Sequence, residues 1–234
     1  MAVLEDLISK NALQNKTICY YPGSFDPPHK GHEYIARETV RRGFCDFTLI
    51  FAIWGDDVFK KRTPTKIRIE TLFSLFKDDP NVIVTKLNPF QLQNALTEPT
   101  KRSENNRLFV TPKNDVGFVG LIGSDMARFY ADHEEYLREF MIGEKLTEKD
   151  DRDEVSRGDV CLPAKAFIVA DRKGFSFSPK EMPDGRKILG RLDTGDNYPI
   201  SSAEIRKTLA DNEDASSVLS ESVVEIIKKY NLYV

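Results

Sequence analysis

The sequence predicts an α/β fold, a doubly wound parallel sheet with helices on both faces, in a single domain. Three observations carry this. Apolar β-type runs alternate with helix-spaced stretches at the interval of successive strand–helix crossovers. The run Asp46-Phe-Thr-Leu-Ile-Phe-Ala-Ile53 is almost continuously apolar, as a parallel strand covered on both faces requires. Polar, mostly glycine-bearing segments follow directly on three strand candidates, and in such sheets ligands bind beyond the strand carboxyl ends, where strand order switches. The architecture is Rossmann-like.

In chain order, residues 2–15 read as a short amphipathic helix, so residues 1–16 form a helical extension ahead of a domain at 17–234. Thr17-Ile-Cys-Tyr-Tyr21 is the first strand, followed by a glycine/proline turn and a helix from Glu33 to Arg42 that Gly43 closes. After the Asp46–Ile53 strand, 54–65 reads as a loop. Lys66 to Lys77 has helical spacing through Ile69, Leu72, Phe73 and Phe76, and Pro80 and its predecessor stop it. Val82-Ile-Val84 and Phe118-Val-Gly-Leu-Ile122 are further strands, the second leading into a helix through Met126, Phe129, Tyr130 and Tyr136. Ala166-Phe-Ile-Val-Ala170 is the fifth strand. Residues 98–115 and 143–159, polar and charge-crowded, read as insertions or mobile loops.

Composition excludes several classes. A net charge of −3 leaves no electrostatic footprint for nucleic acid. No apolar run approaches the ~20 residues that span a bilayer. The first sixteen residues, with Glu5 and Asp6, lack the pattern of a secretory signal. Cys19, Cys45 and Cys161 are odd in number and without zinc-type pairing. The expectation is a cytoplasmic protein with buried free thiols, no structural metal, no membrane and no nucleic acid; a homo-oligomer is left open.

The chemistry concentrates in Gly23-Ser-Phe-Asp-Pro-Pro-His-Lys-Gly-His32. The chain has three histidines, His29, His32 and His133, and two fall here, three residues apart where a helix begins. A single histidine is as readily a surface or capping residue; the whole frame after a strand is what argues for chemistry. Open N–H groups in a first helical turn favour an anion, and two imidazole donors beside them suit charge developing on a phosphate. A second anion site reads from Ser201, Ser202 and Arg206. Serines before a helix cap it, and an arginine one turn along can reach back as a phosphate clamp.

The decapeptide resembles the HxGH signature of the nucleotidyltransferase superfamily, in the form typical of nicotinate or nicotinamide mononucleotide adenylyltransferases. Ile122-Gly-Ser-Asp125 is similar to the family's Gly-x-Asp segment. Ile168-Val-Ala-Asp-Arg-Lys-Gly174 is similar to its strand and Arg-x-Gly, and Ile200-Ser-Ser-Ala-Glu-Ile-Arg206 to its Ile-Ser-Ser-Thr-x-Ile-Arg. The ending, Ile226 to Tyr233, resembles its closing helix. Ala203 stands where the family has threonine, removing one hydroxyl. The tryptophan the family places downstream of Gly-x-Asp is absent, leaving Trp54 and Tyr130 as candidate stacking surfaces.

The resemblance implies adenylyl transfer from ATP to a pyridine mononucleotide, giving NAD or its deamido precursor and pyrophosphate. It implies His32 and His29 on the reacting phosphates, and Gly31 leaving room for the nucleotide. Gly23, Ser24 and Phe25 would lie beside the acceptor mononucleotide, and Ser201, Ser202 and Arg206 on the β- and γ-phosphates. Lys60, Lys61, Asp125 and Arg172 would contact the acceptor side, with Mg²⁺ carried by the ATP phosphates. Two other readings stay open: another HxGH transferase (a cytidylyltransferase or a phosphopantetheine adenylyltransferase), or a nucleotide-binding sensor without turnover.

Overall fold

A computed structural model describes residues 2–52, 62–102, 108–132, 164–171, 177–183, 185–194 and 201–234. The strands are β1 (Ala2–Val3), β2 (Thr17–Gly23), β3 (Phe47–Ala52), β4 (Val82–Val84), β5 (Thr97–Arg102), β6 (Leu108–Pro112), β7 (Gly117–Gly123), β8 (Ala166–Asp171) and β9 (Ile188–Asp193). The helices are α1 (Leu4–Ser9), α2 (Lys30–Arg41), α3 (Thr65–Leu75), α4 (Pro89–Leu96), α5 (Ser124–Asp132), α6 (Ser202–Ala210) and α7 (Glu221–Tyr230).

Seven strands form one parallel sheet in the order β1-β4-β3-β2-β7-β8-β9. The chain winds outward from β2 through β3 to β4, then returns to lay β7, β8 and β9 on the other side. The switch in strand order therefore falls between β2 and β7. Because the strands are parallel, the ends at Gly23, Ala52, Gly123 and Asp171 share one edge, with Gly23 opposite Ala52 and Gly123 opposite Ala170.

Side chains alternate between two cores with the period of two that a strand imposes. Cys19, Tyr21, Ile50, Val82, Val84, Leu121 and Ile168 face a layer built from α2, α3, α6 and α7, through Ile35, Leu72, Ile205 and Ile227 among others. Ile18, Tyr20, Leu49, Phe51, Ile83, Phe118 and Val169 face the opposite layer, where Leu4, Leu92, Leu96 and Ala127 supply α1, α4 and α5. Helices thus cover both faces, as the apolar strand runs predict. Cys19 and Cys45 are buried free thiols. Gly43, at φ +73, closes α2 with the paired bonds Gly43 N–H to Val40 and Phe44 N–H to Thr39.

Two expectations are corrected, and two elements, α4 and β9, were not expected. Residues 2–15 are not one helix: Ala2 and Val3 pair with β4, and α1 ends at Ser9. Left-handed Asn11 and Asn15 turn the chain thereafter; asparagine tolerates that conformation. Within 98–115, β5 and β6 form an antiparallel pair of their own, held by backbone hydrogen bonds that need no apolar pattern. Helix α4 was signalled by Asn88-Pro-Phe-Gln91, in which Asn88 and Gln91 exchange capping bonds behind a proline at the first helical position. Strand β9 is an edge strand with a glycine and an arginine inside it, so its apolar signal is weak. Residues 143–159 lie outside the described residues.

Helix α2 is anchored by Glu38, a buried carboxylate hydrogen-bonded to Arg41 at 2.6 and 2.7 Å and to Arg42 at 2.7 Å. Arg42 reaches on to the Arg191 carbonyl of β9. Bonding to Arg41 first, then Arg42, lowers the Glu38 pKa from 4.5 to about 2. Unfolding restores the ordinary value, so the contribution is complete above pH 4.5 and fades as pH falls toward about 2. Thermal melts from pH 7 downward should show Glu38→Gln less stable at neutrality and converging with wild type in strong acid; parallel curves would remove Glu38 from the acid response.

Candidate active site

The turn between β2 and α2 is bounded by constraints that residue chemistry explains. Phe25 has φ +46, an unusual conformation for a bulky residue, and its ring is almost fully buried. The ring lies over Gly23, where a Cβ would sit 2.9 Å from it. Only glycine lets the strand end and the ring share that space. The Asp26–Pro27 peptide is cis.

Three side chains from distant elements accept this turn as their partner. Arg68 of α3, buried, donates to the Ser24 carbonyl at 2.7 Å, the Thr63 carbonyl at 2.8 Å and Thr65 Oγ1 at 2.9 Å. Ser202 donates to the Pro27 carbonyl at 2.9 Å, and Arg206 Nη1 to the Asp26 carbonyl at 2.5 Å. The Asp26 carboxylate points inward, accepting from Thr63 N–H at 3.1 Å and from the Tyr233 hydroxyl at 2.6 Å.

His29 is the N-cap of α2 rather than a residue of its first turn. Its Nδ1 accepts from Gly31 N–H at 3.1 Å, and His32 Nδ1 accepts from His29 N–H at 3.2 Å. The two rings meet at 3.8 Å between centroids, and Phe25 stands edge-on to His32 at 5.0 Å. A neutral imidazole that accepts at Nδ1 carries its proton on Nε2, so these bonds assign the Nε2–H tautomer to both rings. The expectation of open helix N–H groups is corrected. Lys30 N–H goes to the Val218 carbonyl, Gly31 N–H to His29, and His32 and Glu33 N–H to the His29 carbonyl. Lys30 Nζ binds the Ser217 carbonyl at 2.8 Å, tying α2 to the segment before α7.

Of the other predicted residues, Ser201 caps α6 in a reciprocal pair with Glu204. Ser202 and Arg206 reach the histidine turn, and a third of the Arg206 side chain is open to solvent. Asp125 stands at the start of α5 beyond β7, its Oδ1 so close over Gly123 that a Cβ there would overlap it. It follows β7, the strand paired with β2 across the switch in strand order. Lys60, Lys61, Trp54 and Arg172 lie outside the described residues, and Tyr130 lies in α5. Among the described residues no cluster of metal-ligating side chains occurs, and no helix is long and apolar enough to cross a membrane.

Sequence reasoning missed Arg68, Asp26, Thr63 and Tyr233. Arg68 stands between Ile67 and Ile69, just ahead of the spacing through Ile69, Leu72, Phe73 and Phe76, and in a stretch that also carries Lys66, Glu70 and Lys77 it has no distinguishing signal. Asp26 lay inside the motif, while nothing in the sequence pairs it with a tyrosine 207 positions away.

The cytidylyltransferase-like family model matches residues 20–208, a span that takes in the histidine turn and the Ser202–Arg206 pair together. The chain belongs to the cytidylyltransferase-like family. Among relatives of this member, a Clostridium botulinum protein named "probable nicotinate-nucleotide adenylyltransferase" is 25% identical, covering 90% of this chain and 94% of its own. A Clostridium kluyveri protein of the same name is 26% identical over 91% of this chain and 97% of its own. The solved Plasmodium falciparum nicotinic acid mononucleotide adenylyltransferase complexed with NaAD superposes with a TM-score of 0.57 at 19% identity, covering 93% of this chain and 97% of that one. That likeness is one of fold, and it matches the Rossmann-like architecture.

Arg68→Leu should leave the Ser24 and Thr63 carbonyls without their charged donor and destabilise the protein by about 3 kcal/mol or more. Urea unfolding measures this, and a loss below about 1 kcal/mol would show that the turn holds its shape without Arg68.

Proposed function

We propose that this site transfers the adenylyl group of ATP to nicotinate mononucleotide, giving deamido-NAD and pyrophosphate. The observation that carries the reading is the close, mutually tilted His29–His32 pair with both Nε2–H groups assigned as donors, on the turn whose Asp26 carbonyl binds Arg206. The names of the curated relatives support the nicotinate acceptor over nicotinamide.

A phosphate oxygen of the mononucleotide attacks the ATP α-phosphorus in line. The new O–P bond forms as the bond to the β-phosphate oxygen breaks, and pyrophosphate leaves with that electron pair. No covalent enzyme intermediate is needed, so catalysis is positioning and charge stabilisation. His32 Nε2–H donates to the α-phosphate oxygens as charge builds. His29 donates to the phosphates as they separate. Arg206 and Ser202 hold the β- and γ-phosphates, Arg206 offering the guanidinium N–H groups not bonded to Asp26. Gly31 keeps the nucleotide close to the helix start. Gly23, Ser24 and Phe25 border the acceptor, with Asp125 on its ribose and Lys60, Lys61 and Arg172 toward its base and phosphate. Mg²⁺ enters as part of the ATP substrate, held by phosphate and water.

Pyrophosphate release with MgATP should be seen with nicotinate mononucleotide and be weaker with nicotinamide mononucleotide, phosphopantetheine or CTP in place of the matching partner. Turnover confined to one of the latter would replace the acceptor or nucleotide assigned here. His32→Ala should lower kcat at least about a hundredfold, the cost of an oxyanion donor at ~2.7–4 kcal/mol, with the fold intact by circular dichroism. Near-normal turnover would take His32 out of the chemistry.

A further inference from the structure

The end of the chain reaches the site. Helix α7 stops at Asn231, left-handed at φ 50, and Tyr233 follows at φ 63. The chain doubles back, and the Tyr233 hydroxyl enters the buried space below the histidine turn. There it donates to Asp26 Oδ1 at 2.6 Å and accepts from Thr63 Oγ1 at 3.1 Å. The phenol is protonated, and so a donor, at neutral pH; burial first, then the neighbouring Asp26 charge, raises its pKa further.

The consequence concerns Arg206. A guanidinium beside a carboxylate in need of donors closes to about 2.7–2.9 Å. Here Arg206 Nη1 stays 4.0 Å from Asp26 Oδ2 and bonds the neutral Asp26 carbonyl instead. Both carboxylate oxygens already have donors: Tyr233 on Oδ1, and Thr63 N–H on Oδ2 at 3.1 Å. A neutral carbonyl is a weaker tether than a carboxylate, so the guanidinium can be surrendered to an incoming polyphosphate.

We propose that Tyr233 is a positioning residue for polyphosphate binding: by satisfying Asp26 it prevents that carboxylate from capturing Arg206. The proposal rests on the reading of Arg206 as the phosphate clamp. Without the hydroxyl, the buried Asp26 carboxylate lacks one of its two donors, and Arg206, 4.0 Å from Oδ2, is a cation beside it that can take up the deficit. The nucleotide then competes with an internal ion pair.

The test is calorimetric binding of MgATP, without acceptor, to wild type, Tyr233→Phe, Arg206→Ala and the double variant, with nicotinate mononucleotide titrated separately. Tyr233→Phe should weaken MgATP about fivefold or more and leave nicotinate mononucleotide within about twofold, because the lost hydroxyl acts through a charge-assisted contact. The double variant should bind MgATP no more weakly than Arg206→Ala alone, since the hydroxyl then has nothing to act through. A folded Tyr233→Phe with wild-type MgATP affinity overturns the proposal, as does a loss that multiplies with that of Arg206→Ala. If Arg206→Ala itself binds MgATP normally, the clamp reading fails first, and the two failures are thereby distinct. Should Tyr233→Phe not fold, the pair Tyr233→Phe/Asp26→Asn removes the hydroxyl and the charge it restrains together; it should bind MgATP within about twofold of wild type, and a loss like that of Arg206→Ala overturns the proposal.

Discussion

Everything at this site depends on how the backbone of residues 24–27 is held. The carbonyls of Ser24, Asp26 and Pro27 accept from Arg68, Arg206 and Ser202, side chains that come from two helices on one layer of the sheet. A turn that leaves backbone carbonyls in a poorly solvated space is costly unless each finds a partner. Phe25 adds about 1–2 kcal/mol of left-handed strain, which its burial over Gly23 offsets. The turn is therefore not a local preference of its own ten residues. It is imposed by α3, α6 and the chain's end, and the histidines that follow inherit their positions from it.

The histidine pair illustrates how one arrangement can serve folding and chemistry together. As caps, His29 and His32 satisfy N–H groups that the helix cannot satisfy internally. The same bonds fix the tautomer, and with it the side of each ring that donates. A serine at the N-cap would stabilise the helix equally well and offer no second donor. The capping reading, which the structure shows at Nδ1, and the catalytic reading, which the proposed mechanism places at Nε2, thus fall on the two nitrogens of one ring.

What was legible in the sequence follows from range. The strands β2, β3, β4, β7 and β8 announce themselves by continuous apolar runs, and α2 by its turn and periodicity, because those signals are local. Strand β9 and the β5–β6 pair escape because an edge strand and an isolated ladder are held by backbone bonds and need no apolar pattern. At the site, the residues that touch phosphates in the proposed mechanism were legible because they sit in short motifs. Those that hold the motifs in place were not. Arg68, Thr63 and Tyr233 meet Asp26 and Ser24 only through tertiary contacts, and a tyrosine beside a terminal valine carries no pattern that distinguishes it from any frayed end.

The layering of the sheet also divides the work of the site. The groups assigned to the polyphosphate, His29, His32, Ser202 and Arg206, all stand on α2 and α6, whose apolar faces pack into the same core as α3 and α7. Rigid helices hold charged donors to the tolerance that in-line transfer demands. Of the residues assigned to the acceptor, Lys60, Lys61, Asp125 and Arg172 come after β3, β7 and β8 in sequence, whereas Gly23, Ser24 and Phe25 belong to the histidine turn itself. In the proposed mechanism, substitution at the first four can therefore change acceptor preference while the groups on the polyphosphate are kept. The histidine turn and Arg206 fall within the family's matched span, whereas Tyr233 lies beyond its end at residue 208, so the support proposed for Arg206 would come from outside that span.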